Sequence, residues 1–147
     1  MATFTKTESA LHPALTSLTD EEEMFREAVR DFATSEIAPL VSQMDRAQEL
    51  DASLLPQLFE LGLMGIDIPE EYGGAGLNFF TSVLVVEEMS RIDPSVATVV
   101  DVQNTLVNNA IGRWGSDALK ADYFPKLATE WVGAYALSEA GSGSDAF

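Results

Sequence analysis

At 147 residues the chain is long enough for one domain with its own hydrophobic core. Its 46% apolar content is ordinary for a soluble globular protein, but 24 acidic against 8 basic residues give a formal net charge of −16. That balance argues against nucleic acid and against a polybasic membrane anchor, both of which depend on Lys and Arg meeting phosphate. The absence of cysteine excludes disulfides, thiolate metal sites and cysteine nucleophiles. The single histidine, His12, precedes Pro13 in a polar stretch and is expected to be solvated; no metal site is expected, since zinc needs several ligands. No apolar run approaches the roughly 18 residues of a membrane span. Residues 1–20 lack the apolar centre of a secretory signal and, with Lys6 as their only cation, the Arg-rich character of a transit peptide.

In chain order, residues 1–18 read as a flexible arm. Thr19 and Glu22 form a capping box, followed by an acidic first turn that suits the positive end of a helix dipole. Phe25, Val29, Phe32 and Ala33, then Ile37, Leu40, Val41 and Met44, recur at helical spacing. Pro39 is expected to kink or restart this helix. Ser53 is expected to cap a second helix carrying Leu54, Leu55, Leu58, Phe59 and Leu61, with Gly62 and Gly65 at its end. A short extended stretch over 66–69 leads into a loop containing Gly73, Gly74 and Gly76. These glycines lack the following Lys-Ser/Thr of a phosphate loop, so a structural turn is expected.

Asn78 is expected to cap a third helix with Phe80, Val83, Leu84 and Glu87 at repeating offsets. Asp93-Pro94 marks the start of a longer helix reaching about Ile111, apolar around most of its circumference and therefore buried among others. Asp101, Gln103, Asn104 and Thr105 interrupt it near its middle. Such polar groups need partners, from a neighbouring helix or solvent first and from a ligand second. Gly112 and Gly115 are expected to end it, and Ser116 to cap a last helix over 117–127. Residues 131–137 form the clear strand candidate.

Residues 135–145 read Tyr-Ala-Leu-Ser-Glu-Ala-Gly-Ser-Gly-Ser-Asp. A β-like run opens there into a turn of small residues. Gly141 and Gly143 permit positive φ and close backbone approach, and Ser138, Ser142 and Ser144 supply hydroxyls. Successive amides in such a turn can form an anion-binding nest. This stretch resembles the flavin-binding signature of the acyl-CoA dehydrogenases, with Ala140 where many members carry Pro. The run from Gly62 to Gly65 and on through Pro69, Tyr72 and Gly76 resembles a linker between early helices of that family. The version with Ser138 and Ala140 is most similar to the short/branched-chain branch.

The resemblance covers about 19–147. It implies an all-α amino-terminal helical bundle over 19–130, followed over 131–147 by the first strand of a middle β-domain that carries the flavin loop. It further implies FAD as cofactor and an acyl-CoA thioester as substrate, desaturated between its α and β carbons. An electron-transferring flavoprotein would be the acceptor, within a mitochondrial homotetramer. By the same resemblance, Tyr135, Leu137 and Ser138 would line the isoalloxazine ring. Gly143 and Ser144 would approach the pyrophosphate, and Ser144 would also border the substrate's pantetheine arm. Asn104 and Thr105 are secondary candidates for shaping an acyl pocket. No catalytic residue is expected in this chain: the family's base is a glutamate in a carboxy-terminal helical domain, and Glu139 is expected to serve the architecture of the loop. The chain by itself is expected to be inactive. A stand-alone helical binding module and an acyl-CoA oxidase-like flavoenzyme are the alternatives.

Overall fold

The computed structural model describes residues 17–145. His12 and most of the expected arm over 1–18 lie outside the described residues. Helix α1 (Asp20–Phe32) opens on the expected capping box: Thr19 Oγ1 accepts from Glu22 N at 3.2 Å, and Glu22 Oε2 accepts from Thr19 N at 2.8 Å. The helix then widens into a π-helical turn, Ala33–Ile37, and tightens into a 3-10 turn, Ala38–Leu40, before α2 (Val41–Ala47). Pro39 sits in the tight turn, where the chain accommodates its missing N–H and its ring without a clean break. Gln48, at φ 54°, ends α2 in the left-handed conformation.

Helix α3 (Leu54–Glu60) does not use the expected cap. Ser53 is already helical, and its hydroxyl donates to Asp51 Oδ1 at 2.6 Å instead of accepting from the first turn. The stretch 66–69 is not simply extended but belongs to the irregular segment 61–69. It is a series of turns that buries Leu63, Met64, Ile66 and Ile68, and it runs beside 75–77, whose amides donate to Gly65, Ile68 and Ile66 carbonyls.

Asn78 caps α4 (Phe79–Ser90), its Oδ1 accepting from Thr81 N at 3.1 Å. The buried face of α4 keeps Leu84 but departs from the expected offsets at Val83 and Glu87. Val83 and Glu87 are exposed, whereas Thr81, Leu84, Val85, Glu88 and Met89 are buried. The helix lies between α1 and α5, so its inward stripe includes the polar residue that α1 can pair. Asp93 caps α5 (Pro94–Asp101), accepting from Ser95 N and Val96 N. This helix continues through a π-helical stretch, Val102–Asn108, into α6 (Asn109–Trp114). Gly112 lies within α6; Gly115, in an extended conformation, is where it ends. Helix α7 (Asp117–Thr129) starts on Ser116, whose Oγ accepts from Leu119 N, and carries Pro125 without interruption.

The main core gathers Val29, Ile37, Leu54, Leu58, Met64, Ile66, Val85, Met89, Val96 and Val100 from α1 to α5 and the 61–69 turns. A smaller core joins Ile68 to Phe124, Leu127 and Ala128 of α7, with Tyr72 tilted against Phe124 at 5.5 Å. Among the described residues no strand forms, and no helix is long and apolar enough to cross a membrane. The expected strand over 131–137 has no ladder partner, without which extended backbone cannot become a sheet.

Ion pairs to Glu88 stitch α1 to α4, a close one from Arg30 and a longer one from Arg26 Nε at 4.0 Å. The Glu88 side chain is only 2% exposed and receives Arg30 Nε at 2.9 Å and Nη2 at 2.8 Å in a two-pronged contact, with Arg91 Nη1 at 3.4 Å. The Arg30 hydrogen bonds and the charges of Arg30 and Arg91 hold the Glu88 carboxyl below its ordinary range, against the opposing push of burial. A depressed carboxylate pKa contributes stability that is present above the unfolded-state value and lost as pH falls through the folded one. Glu88→Gln is therefore expected to lower the melting temperature at pH 7. The gap to the parent protein should close as pH drops below about 4. A gap of the same size at pH 3 would assign the loss to packing rather than charge.

Candidate functional site

The signature residues lie on the segment that leaves α7. Its start is fastened and its remainder is open. Trp131 N donates to Lys126 O at 2.7 Å, and the Trp131 ring stands edge-on to Tyr123 with Lys126 Nζ 4.9 Å from its centre. Gln103, 0% exposed, reaches across from the π-helical stretch: Nε2 donates to Leu127 O at 2.9 Å and Trp131 O at 3.0 Å, and Oε1 accepts from Gly133 N at 2.7 Å. Gly133 presses so close to α6's approach that an added Cβ would stand 2.5 Å from Val107 Cγ1. Its lack of a side chain is therefore a requirement of the packing.

Beyond Gly133 the described residues are exposed apart from half-buried Ser142, and Tyr135, Leu137, Ser138, Gly143 and Ser144 are all among the exposed ones. Glu139 and Ser142 exchange backbone bonds, Glu139 N to Ser142 O at 2.8 Å and Ser142 N to Glu139 O at 3.2 Å, pinching Ala140 and Gly141 into a two-residue turn. Glu139 thus takes part in the turn through its backbone. Gly143 N donates to Asp145 Oδ1 at 3.0 Å, so an internal carboxylate occupies an amide that an anion could take. Gly141 and Gly143 do not use the positive φ open to them; the left-handed glycines are Gly62, Gly73 and Gly76. An added Cβ at Gly141 or Gly143 would meet nothing within 4 Å, so no contact within the described chain calls for glycine there. The structure brings the five signature residues onto one exposed segment without converging them on a closed pocket. The donor set, hydroxyls and small residues beside an exposed aromatic, suits one face of a flavin nucleotide.

Asn104 and Thr105 have different occupations. Asn104 Oδ1 accepts from Ile66 N at 2.9 Å and Asn108 Nδ2 at 3.3 Å; its Nδ2 donates to Leu63 O at 2.8 Å and Val100 O at 2.9 Å. Both lone pairs and both protons are engaged, leaving nothing for a ligand. Thr105 Oγ1 turns back onto Asp101, with O and Oδ1 both at 2.9 Å. Asn104, Thr105 and Asn109 all donate to carbonyls four residues earlier, a pattern that opens the helical ladder and accompanies the wide turn here. The glycine loop is similarly self-satisfied: the amides of 73–77 all donate to backbone carbonyls, and a Cβ on Gly74 would lie 2.1 Å from Ile68 O. It is a structural turn. What sequence reading missed was the joint role of Gln103 and Gly133. Its signals were a glutamine inside an apolar helix and a glycine inside a β-like run.

Replacing Asn104 by Ala is expected to cost about 3 kcal/mol, because Ile66 N and Leu63 O would be buried without partners. Urea unfolding should show a lower midpoint at an unchanged slope.

A cavity of about 330 Å³ beside the smaller core is lined by Asp67, Tyr72, Asn108, Lys120 and Phe124. Asp67 Oδ1 and Asn108 Oδ1 have no hydrogen-bond partner among the described residues. Burial pushes the Asp67 carboxyl up. A raised carboxyl pKa makes the folded state the stronger proton binder, so stability falls as pH rises through that value. Asp67→Asn is expected to raise the melting temperature at pH 7 and to lose that advantage below about pH 4. An equal advantage at pH 3 would refute the assignment.

Residues 19–130 match the family model described as "Acyl-CoA dehydrogenase, N-terminal domain". The chain is 48% identical over 144 residues to a probable short/branched chain specific acyl-CoA dehydrogenase of Dictyostelium discoideum, covering 98% of this chain and 35% of that protein. It is 50% identical over 133 residues to the mitochondrial short/branched chain specific acyl-CoA dehydrogenase of Bos taurus, covering 90% and 31%. Among solved structures, butyryl-CoA dehydrogenase from Megasphaera elsdenii superimposes with a TM-score of 0.81 at 31% identity, over 88% of this chain and 35% of that one. The chain spans about a third of the length of the relatives it matches.

Proposed function

The chain belongs to the acyl-CoA dehydrogenase family, and from that premise we propose that it supplies the amino-terminal helical part of an FAD-dependent dehydrogenase acting on short or branched acyl-CoA thioesters. The observation that carries this reading is the 48–50% identity to short/branched-chain relatives, sustained across 90–98% of the chain. In this reading 19–130 form the helical domain and 131–147 begin a middle β-domain that contributes one face of the flavin site. The openness of 135–145 agrees with a site completed by the other parts of the whole protein.

The chemistry that FAD supplies when bound is acceptance of the electrons removed as the acyl chain is desaturated. The protein's part is placement. Tyr135 and Leu137 offer apolar surface to the ring, and the Ser138 hydroxyl donates to its edge. The bare backbone at Gly143 lets the pyrophosphate approach, and Ser144 donates to it while bordering the pantetheine arm. Binding there would displace the Asp145 carboxylate from Gly143 N. Glu139 holds the turn, and the base that removes the α proton comes from outside these 147 residues. An electron-transferring flavoprotein takes the electrons onward, and the whole enzyme is a homotetramer. The name of the cattle relative supports a mitochondrial location.

In this reading the site is shared with the rest of the protein. FAD titrated into the 147-residue chain should show no tight binding and no turnover. The whole protein should bind it stoichiometrically and lose visible flavin absorbance on adding a short branched acyl-CoA. Ser138→Ala should weaken FAD about fivefold, the worth of one hydrogen bond near 1 kcal/mol. Stoichiometric FAD binding by the 147-residue chain, or bleaching by long acyl chains alone, would overturn it.

A further inference from the structure

We infer that Gln103 is the positioning residue of the flavin-binding segment, an assignment that rests on the function proposed above. The side chain is wholly buried and every hydrogen bond it makes is directed at the end of α7 and the segment leaving it: two donated bonds to Leu127 O and Trp131 O, and one accepted from Gly133 N. Among the described residues, the Gly133 bond is the hydrogen bond that ties 132–145 to the helices; the others made by these residues close within the segment. The angle at which the chain leaves the bundle is therefore set from the π-helical stretch rather than by the loop's own turn.

No near neighbour of glutamine reproduces this. Asparagine is one methylene short. Glutamate accepts but cannot donate to the two carbonyls. Leucine leaves three backbone groups without a partner. Gly133 supports the same anchor from the other side, because only a bare Cα fits against Val107. Tyr135 follows two residues later, within roughly 7 Å of chain from the anchor, whereas Ser144 is separated from it by the pinched turn at Glu139 and Ser142. Gln103 therefore governs the ring end of the site more than the phosphate end.

Two measurements test this. The first is amide hydrogen exchange on the 147-residue chain, comparing Gln103→Leu and Gln103→Glu with the parent. In Gln103→Leu the Gly133 amide should exchange at least tenfold faster, while Ile66 N, held by Asn104, keeps its protection. Gln103→Glu retains an acceptor for Gly133 N and should restore part of that protection. The second measurement is the visible spectrum and FAD affinity of the whole protein. Gln103→Leu should shift the flavin absorption band and weaken FAD about tenfold, whereas Ser144→Ala should weaken FAD without moving the band.

Unchanged exchange at Gly133, or equal acceleration at Ile66, would overturn the assignment, the latter by making Gln103 an ordinary core residue. Faster exchange at Gly133 with unaltered flavin spectrum and affinity would overturn it as well. A parent protein that takes up no FAD would instead sink the functional reading, and the exchange pattern would still decide whether Gln103 holds the segment.

Discussion

The arrangement depends on a row of buried side-chain amides, Gln103, Asn104 and Asn108, on the π-helical stretch between α5 and α6. Irregular backbone placed inside a protein must have its N–H and C=O groups paired. The turns over 61–69 and the exit from α7 are both irregular, and both pack against this stretch. Asn104 and Asn108 take up Leu63, Met64 and Ile66 on one side; Gln103 takes up Leu127, Trp131 and Gly133 on the other. Without those amides the turns over 61–69 could not run through the interior at acceptable cost, and the more exposed exit from α7 would lose its tie to the helices.

The rest of the bundle needs less specific help. The main core closes around α1, α4 and α5 by apolar burial, and the Arg30–Glu88 pair fixes which face of α4 turns inward. An isolated buried carboxylate would be costly; two-pronged guanidinium contact makes Glu88 tolerable there and selects one register of α4 against α1. The second core is small, built around Phe124, Leu127 and Ala128. Gly65 lies so near it that an added Cβ would stand 3.1 Å from Ala128 Cα. Close approach of this kind brings the 61–69 turns, α7 and the segment beyond it into one neighbourhood.

The proposed flavin loop sits at the edge of that neighbourhood and owes its form to little else. Its turn is closed by a single pair of backbone bonds, its glycines meet no other part of the chain, and its aromatic and apolar side chains stand exposed. A segment so sparsely held takes its direction from its anchor. The exposed segment is thereby coupled to the core through Gln103 rather than through Tyr135, Leu137, Ser138, Gly143 or Ser144 themselves.

Local signals fixed the helices. The caps at Thr19, Asn78, Asp93 and Ser116 act as their residue types require, because each needs only neighbours within three residues. The structural turn after Tyr72 was legible for the same reason. The sequence could not show that Ser53 would turn to Asp51, that α4 would bury Glu88 rather than Glu87, or that residues 131–137 would lack a ladder. Each depends on a partner supplied from elsewhere: a competing carboxylate, an arginine 58 positions away, and a second strand. The role of Gln103 belongs to the same class. A glutamine in an apolar helix signals that a partner is needed but not which one, and only the meeting of α7, Gly133 and the π-helical stretch makes it an anchor, because partners at long sequence separation are supplied by the fold.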